Sequence, residues 1–554
     1  MASSSKVSIV ESLGKLFKIL KLDKRDITSI YMYAIMAGLV QLSLPLGIQT
    51  IISFVMAGTI STSIVVLIVM VLIGTFLAGL LQVRQMQIIE KVEQKLFVRY
   101  SLEFSDRLPK LNIEKLDNYY LPELVNRFFD TTSLQKGVDK ILLDIPAAII
   151  QIFLGLILLA FYHPVFIGFG AVLILIIVLI LRFTSNEGLQ TAIEASDYKY
   201  HIASWLQEIA RVIKSFKYSK GTSLNVSKTD KLVTGYLGAR TNHFKILQTQ
   251  YWSLISFKMV ITASMLIVGA VLLVDQQINI GQFIAADIVI ITIMNSVEKL
   301  ILNIDKVYDA LTSVKKLSKI TDAEIEDSGS MQLQASQMGV GIEFRNLDFQ
   351  YMHGEKVLQN INFSVPPGSV VNLVGQSGSG KSTLLRLLTG AYTNYTGSIL
   401  VDKVPINNYS LQSLRSQTGI LLSQQDIFQG TLLENLTLGN PNITIEEVTH
   451  LARVTGLHQF IETNPRGYDM FLDPVGKRLP AKVRQNILLL RALLGKHRLI
   501  LLEEPFDHLT PEQKEAVLAC IKTDKTSTII ITSLDESIVN VCDMTIYLKD
   551  GKIV

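Results

Sequence analysis

Gly375, Gln376, Ser377, Gly378, Ser379, Gly380, Lys381, Ser382 and Thr383 stand in a spacing that can grip a chain of phosphates. Glycines at 375, 378 and 380 let the backbone wrap its N–H groups round an anion. Lys381 is long enough to reach the outer phosphates, and the Ser382 hydroxyl can ligate Mg2+. The apolar run 370–374 before this segment and the leucine-rich run 384–388 after it predict a strand, a turn and a helix, the context such a loop requires. A nucleoside triphosphate belongs there, as ATP with Mg2+. Farther on, residues 498–505 read as a buried parallel strand that closes on Glu503 and Glu504. Two adjacent carboxylates ending an apolar strand are costly to keep without a chemical use.

The elements that must position these groups divide the chain in two. Of 554 residues, 49% are hydrophobic, and most of the apolarity lies before position 305, so a membrane half precedes a soluble half. The formal charge of +4 is small for this length, and the basic residues are dispersed between apolar segments, which argues against a nucleic-acid partner. Two cysteines, Cys520 and Cys542, build neither a disulfide framework nor a Cys-rich metal site within one chain. Met1 to Asp26 is polar and lacks the short apolar core and small-residue site of a removable signal, so the chain is expected to begin in the cytoplasm.

Six stretches, 30–57, 60–83, 141–162, 164–183, 251–274 and 280–303, are long and apolar enough to cross a bilayer. The connections after the second and fourth are long and carry Arg84, Lys91, Lys95, Arg99 and Arg107, then Arg182, Lys199, Arg211 and Lys214, which places them in the cytoplasm. Ile89, Val92, Leu96 and Tyr100 recur at helical spacing and predict that the second span continues past the headgroups as an amphipathic rod. Among polar residues in the spans, Asp287 is the sharpest signal, divided between a transport path and a packing or interface role. Gln41, Gln49 and Pro45 are weaker signals, Pro45 with Gly47 reading as a tolerated kink.

Several segments resemble ATP-binding-cassette exporters, over residues 28–554. The run 121–130, with Glu123, Leu124, Arg127 and Asp130, is similar to the first intracellular loop of that family, whose short transverse helix docks into the nucleotide-binding domain; Pro122 replaces the usual Gly. Residues around Trp205 to Lys214 would supply the second docking helix. The resemblance implies that Tyr351 stacks on adenine, that Gln424, with Gln425 as the alternative, touches Mg2+ and the attacking water, and that Glu503 holds Mg2+ where the family has Asp. It also implies that Glu504 is the catalytic base. The family's signature Leu-Ser-Gly-Gly-Gln is replaced by Leu479, Pro480, Ala481, Lys482 and Val483, ahead of Arg484 and Gln485. Ser533 stands in place of the switch histidine.

The implied fold is an α-helical membrane domain of six helices fused to an α/β P-loop nucleotide-binding domain. Its expected boundaries are 1–28 for a cytoplasmic segment, 29–314 for the membrane domain, 315–338 for a linker and 339–554 for the nucleotide-binding domain. Within the family, bacterial type I secretion and peptide exporters are the most similar, which implies ATP-driven export of a peptide or protein across the cytoplasmic membrane by alternating access of a dimer, with hydrolysis slowed by the replaced signature and switch histidine. Lipid or small-molecule export and a nucleotide-gated regulatory role are the alternatives. The implied partners are a second half-transporter, identical or different, the lipid bilayer and a periplasmic membrane-fusion adaptor protein.

Overall fold

The computed structural model describes residues 9–58, 62–116, 121–219, 221–352, 354–423 and 425–554. They form two units, residues 1–110 with 119–323, and residues 111–118 with 324–554.

The first unit is helical, and six of its helical segments are long and apolar enough to span a membrane. The helices Thr62–Arg107, Val165–Arg211, Leu224–Val274 and Ile280–Thr321 hold 46, 47, 51 and 42 residues. At about 1.5 Å per residue each is roughly twice as long as a hydrocarbon core is thick, so each runs on beyond the bilayer as a rod. The expected stripe on Thr62–Arg107 is present, with Ile89, Val92, Leu96, Tyr100 and Phe104 all buried.

The expected first span is two helices, Lys24–Gln41 and Ser43–Met56, joined at Leu42. Pro45 explains the break, because its ring conflicts with the carbonyl of Gln41 four residues earlier and it offers no N–H. Before the last helix, Asn279 Oδ1 accepts the Gln282 N–H at 2.8 Å while Gln282 Oε1 accepts the Asn279 N–H at 2.9 Å. This reciprocal cap satisfies donors that a helix start leaves orphaned.

That helix continues to Thr321, past the boundary expected at 314. Val314, Leu317 and Ile320 keep its apolar stripe buried to the end, so the pattern that built the helix has not stopped at the expected linker. Residues 324–338 belong instead to the second unit. There Leu333 joins the core, and Glu326 accepts two hydrogen bonds from Arg415 at 2.6 and 2.8 Å.

The second unit carries a sheet whose spatial order is Lys552–Ile553, Met544–Lys549, Val370–Val374, Thr528–Thr532, Leu499–Glu503 and Thr418–Leu421. All neighbours are parallel except the first pair. The strands Leu499–Glu503 and Thr528–Thr532 are nearly continuous buried runs of Leu, Ile and Thr, as expected of strands covered on both faces. A second, antiparallel sheet orders Lys356–Val365, Ile342–Gln350, Tyr395–Val401 and Val404–Pro405. Its inward residues Phe344, Leu347, Phe349, Ile361 and Ile399 share one core with Leu373, Leu384 and Leu388. That common core holds the end of strand 370–374 and the helix Lys381–Leu388 in register, which fixes the loop between them.

Candidate nucleotide site

Parallel strands direct their carboxyl ends to one edge of the sheet, where loops converge. Strand 370–374 delivers the glycine-rich loop to that edge, and strand 499–503 delivers Glu503 and Glu504. Between them lies strand 528–532, in which Thr532 is in register with both Leu373 and Glu503. These groups line a cavity of 450 Å3.

Gly378 (φ 84°) and Gly380 (φ 103°) hold backbone conformations that only glycine adopts freely. Gly375 is needed for space, since a Cβ there would lie 2.3 Å from the Leu548 carbonyl oxygen. The Lys381 ammonium donates to the carbonyl oxygens of Gly375 at 2.5 Å and Gln376 at 3.0 Å, which folds the lysine across the mouth of its own loop. The helix Lys381–Leu388 begins here without a side-chain cap, so its first N–H groups point toward the cavity, a favourable setting for an anion.

Ser382 Oγ donates to Glu503 Oε1, and Glu503 Oε2 accepts the Ser423 N–H at 2.7 Å. A hydroxyl and a carboxylate brought together in this way form an all-oxygen donor set, which suits a hard cation such as Mg2+. Gln424 lies outside the described residues. Gln425, its alternative, is turned back on its own loop, its Oε1 accepting the Leu422 N–H at 3.3 Å.

Glu504 has φ 45°. Its N–H donates to the Thr532 carbonyl at 3.0 Å, and its carbonyl accepts Gln485 Nε2 at 3.2 Å. Bonds on both sides of the peptide hold this left-handed conformation and turn the side chain into the cavity. Burial raises the carboxyl above the ordinary glutamate range, nearby Asp507 and Glu503 add to the rise, and Lys381 opposes it. A partly desolvated carboxylate with a lifted proton affinity is suited to general-base work.

Tyr351 lines the same cavity. Its hydroxyl is 3.2 Å from Thr383 Oγ1 and 3.4 Å from Arg386 Nη1, and its ring meets Phe349 and Tyr392 edge to face. Gln376 contributes its carbonyl to Lys381 and to the Ser379 N–H, not its side chain to the lining. Ser533 does not face the cavity. It is buried, its N–H and carbonyl bond to the Asn372 amide, and its hydroxyl accepts the Asp535 N–H at 3.2 Å. Strand alternation sends Thr532 and Leu534 to the lining in its place. Thr532, Leu534, Val357 and Arg386 line the cavity without having been expected from the sequence, and of these only Thr532, at the end of the strand beside Ser533, had a local signal.

At the expected signature, the helix Ala481–Leu493 starts directly after Pro480 (φ −56°, ψ 146°), with no side-chain cap. A proline there costs nothing, because the N–H it lacks is one that a helix start leaves unpaired. The replaced glycines and serine leave Leu479, Ala481, Lys482 and Val483 about a helix start that presents only its backbone.

Comparison with known proteins agrees with this geometry in both units. Residues 28–297 match the description "ABC transporter transmembrane region", and residues 358–507 match "ABC transporter". The alpha-hemolysin translocation ATP-binding protein HlyB of Escherichia coli O157:H7 is 28% identical over 352 residues, covering 63% of this chain and 49% of that protein. The uncharacterized ABC transporter ATP-binding protein YknV of Bacillus subtilis is 30% identical over 294 residues, 52% of this chain and 48% of that one. The mitochondrial iron-sulfur clusters transporter ABCB7 of Oryzias latipes is 36% identical over 215 residues, 38% of this chain and 29% of that one. The chain thus spans about half the length, or less, of the curated relatives it matches. A solved bacterial Atm1-family ABC exporter with ATP bound superposes with a TM-score of 0.86 at 18% identity, covering 96% of this chain and 94% of that one. At that identity the likeness concerns the fold.

Proposed function

Because this chain belongs to the ABC transporters and is a multi-pass membrane protein with a cytoplasmic nucleotide-binding domain, we propose that it is an exporter half-transporter. It works as a dimer in a bacterial cytoplasmic membrane and moves a peptide or protein by alternating access. One observation carries the proposal: a phosphate loop, the Ser382–Glu503 pair and the half-buried carboxyl of Glu504 are assembled at one sheet edge of a chain that also supplies six helices long and apolar enough to cross a membrane. The similarity to HlyB supports a polypeptide cargo. The similarity to ABCB7 supports a small-molecule cargo as the alternative.

In this reading Lys381 and the N–H groups of residues 375–383 bind and orient the phosphates of ATP. Ser382 and Glu503 hold Mg2+, which supplies charge neutralisation at the phosphates. Tyr351 meets the base. Glu504 takes a proton from the attacking water, and Gln485 and Thr532 keep it aimed. A helix start at Ala481 with no serine or glycines grips a partner's phosphate weakly, which supports slow turnover or a heterodimer whose other chain has an intact signature. The same feature favours a second reading, a regulatory subunit that binds nucleotide without pumping. Purified protein, alone and mixed with candidate partner chains, separates them: Glu504-dependent phosphate release with ATP-driven uptake into inverted vesicles supports the exporter, and nucleotide binding with neither supports the regulatory subunit.

A further inference from the structure

One end of the nucleotide cavity is lined by Tyr351, Val357, Thr383 and Arg386. Thr383 is buried, and its hydroxyl lies 3.2 Å from that of Tyr351, so these two polar groups are spent on each other. Arg386 is half-buried and donates from Nη1 to the Tyr351 hydroxyl at 3.4 Å. It stands three residues after Thr383 on the helix Lys381–Leu388, hence on the same face, and long side chains on a helix lean back toward its start. The guanidinium therefore comes to rest beside the ring on which a base would lie.

Arg345, Arg415 and Arg498 of the same unit each face a carboxylate, those of Glu343, Glu326 and Asp402. Arg386 has no such partner among the described residues, and its contact with Tyr351 leaves the Nη2 and Nε donors unused. A guanidinium offers five N–H groups and accepts nothing. The carboxylates of the cavity, Glu503 and Glu504, belong to the phosphate end, where Glu503 accepts from Ser382. With the two hydroxyls spent, no side chain among the described residues of the base end is left to accept from the exocyclic amine of adenine. A fork of donors remains, and it suits a base edge that accepts. Guanine presents that edge, O6 beside N7, in the spacing an arginine fork matches. Adenine presents N7 beside an amine, which would set donor against donor.

We propose that Arg386 reads the base through O6 and N7, and that the cavity takes a 6-oxopurine nucleoside triphosphate in preference to ATP. The proposal rests on the reading of this cavity as a nucleoside-triphosphate site and names the base it selects. Stacking on Tyr351 serves every base alike. Arg386 supplies the choice.

The test is competition against a fluorescent ATP analogue on the full chain in lipid nanodiscs with Mg2+, read by anisotropy. Four competitors share the triphosphate and differ in the base: ATP, GTP, ITP, which carries O6 without the 2-amino group, and 7-deaza-GTP, which keeps O6 and lacks the N7 acceptor. GTP and ITP are expected to compete at least about tenfold better than ATP, the worth of one bidentate arginine–base pair, and 7-deaza-GTP to fall between them. Arg386→Met keeps an unbranched stem and removes the fork. It should weaken GTP and ITP about tenfold or more and bring the four nucleotides together.

ATP competing as well as GTP, or 7-deaza-GTP as well as GTP, overturns the proposal, and these readings need no variant to fold. Equal losses of ATP and GTP in Arg386→Met also overturn it, because an arginine that served the α-phosphate or only propped Tyr351 would affect every base alike. The two readings fail separately. ATP favoured, with Glu504-dependent turnover, sinks only the base selection; GTP favoured, without Glu504-dependent turnover of either nucleotide, sinks only the exporter. Failure of every nucleotide to bind sinks both.

Discussion

Replacing Glu504 by glutamine isolates the chemical step, because it removes a proton acceptor and little else. The side chain keeps its size. The backbone restraints that hold φ at 45° come from the Thr532 carbonyl and Gln485 Nε2, and neither bonds to the carboxylate. A positioned general base contributes about 10²–10⁴ in rate, or about 3–6 kcal/mol at ~1.4 kcal/mol per factor of ten. Single-turnover phosphate release from MgATP, by quenched flow in nanodiscs, is expected to slow by that factor while the affinity for a fluorescent ATP analogue stays unchanged.

The pH dependence has a definite sign. Burial, with Asp507 and Glu503, raises the folded-state pKa of Glu504 above its unfolded value, so the rate should climb with pH through a midpoint above the ordinary ~4.3, and that limb should vanish in Glu504→Gln. For stability, a raised carboxyl pKa means that the folded state prefers the protonated form. The contribution is present at low pH and lost as pH rises through the folded value. At pH 7 the cost of the partly buried charge is in force, and Glu504→Gln should melt no lower than wild type. A rate loss below about tenfold, or an unchanged acid limb, would refute the assignment of Glu504 as the base.

Lys381→Ala removes the side chain that bridges the Gly375 and Gln376 carbonyls and should reduce ATP-analogue affinity by at least about tenfold, the worth of a charge-assisted contact, read by fluorescence titration. Glu503→Ala leaves both Ser382 Oγ and the Ser423 N–H without their acceptor; the Mg2+ concentration for half-maximal turnover should rise by about tenfold or more. Gly378→Ala and Gly375→Ala separate conformation from space. The first meets no atom within 4 Å but sits at φ 84°, so it should cost about 1–2 kcal/mol in thermal or denaturant melts. The second drives a Cβ against the Leu548 carbonyl oxygen and should cost more, with loss of nucleotide binding.

The residues of the phosphate loop and the two terminal carboxylates were legible in the chain because their chemistry depends on neighbours in sequence. Glycine spacing, Lys-Ser in register and an apolar strand ending in two acids are local facts, and the strand, turn and helix around them follow from local periodicity. The six spans were legible for a similar reason, since a bilayer imposes its length on each helix separately. The break at Leu42 follows from Pro45, yet its residue-level position became plain only where the helix parts.

Tertiary structure alone decided which polar groups meet. Asp287 was the strongest intramembrane signal in the sequence, but a cavity of the first unit is lined by Gln41, Gln82, Gln85 and Gln151 from three different helices together with Lys299, a convergence with no sequence spacing to announce it. Ser533 and Thr532 are neighbours in the chain, and only the pairing of strand 528–532 between strands 370–374 and 499–503 settles which one faces the nucleotide cavity and which one binds Asn372. Composition and short-range pattern set what each segment can become, because backbone geometry and transfer from water act residue by residue. Which segment's side chains come to share a cavity depends on how helices and strands far apart in the chain pack, and that is a property of the whole fold.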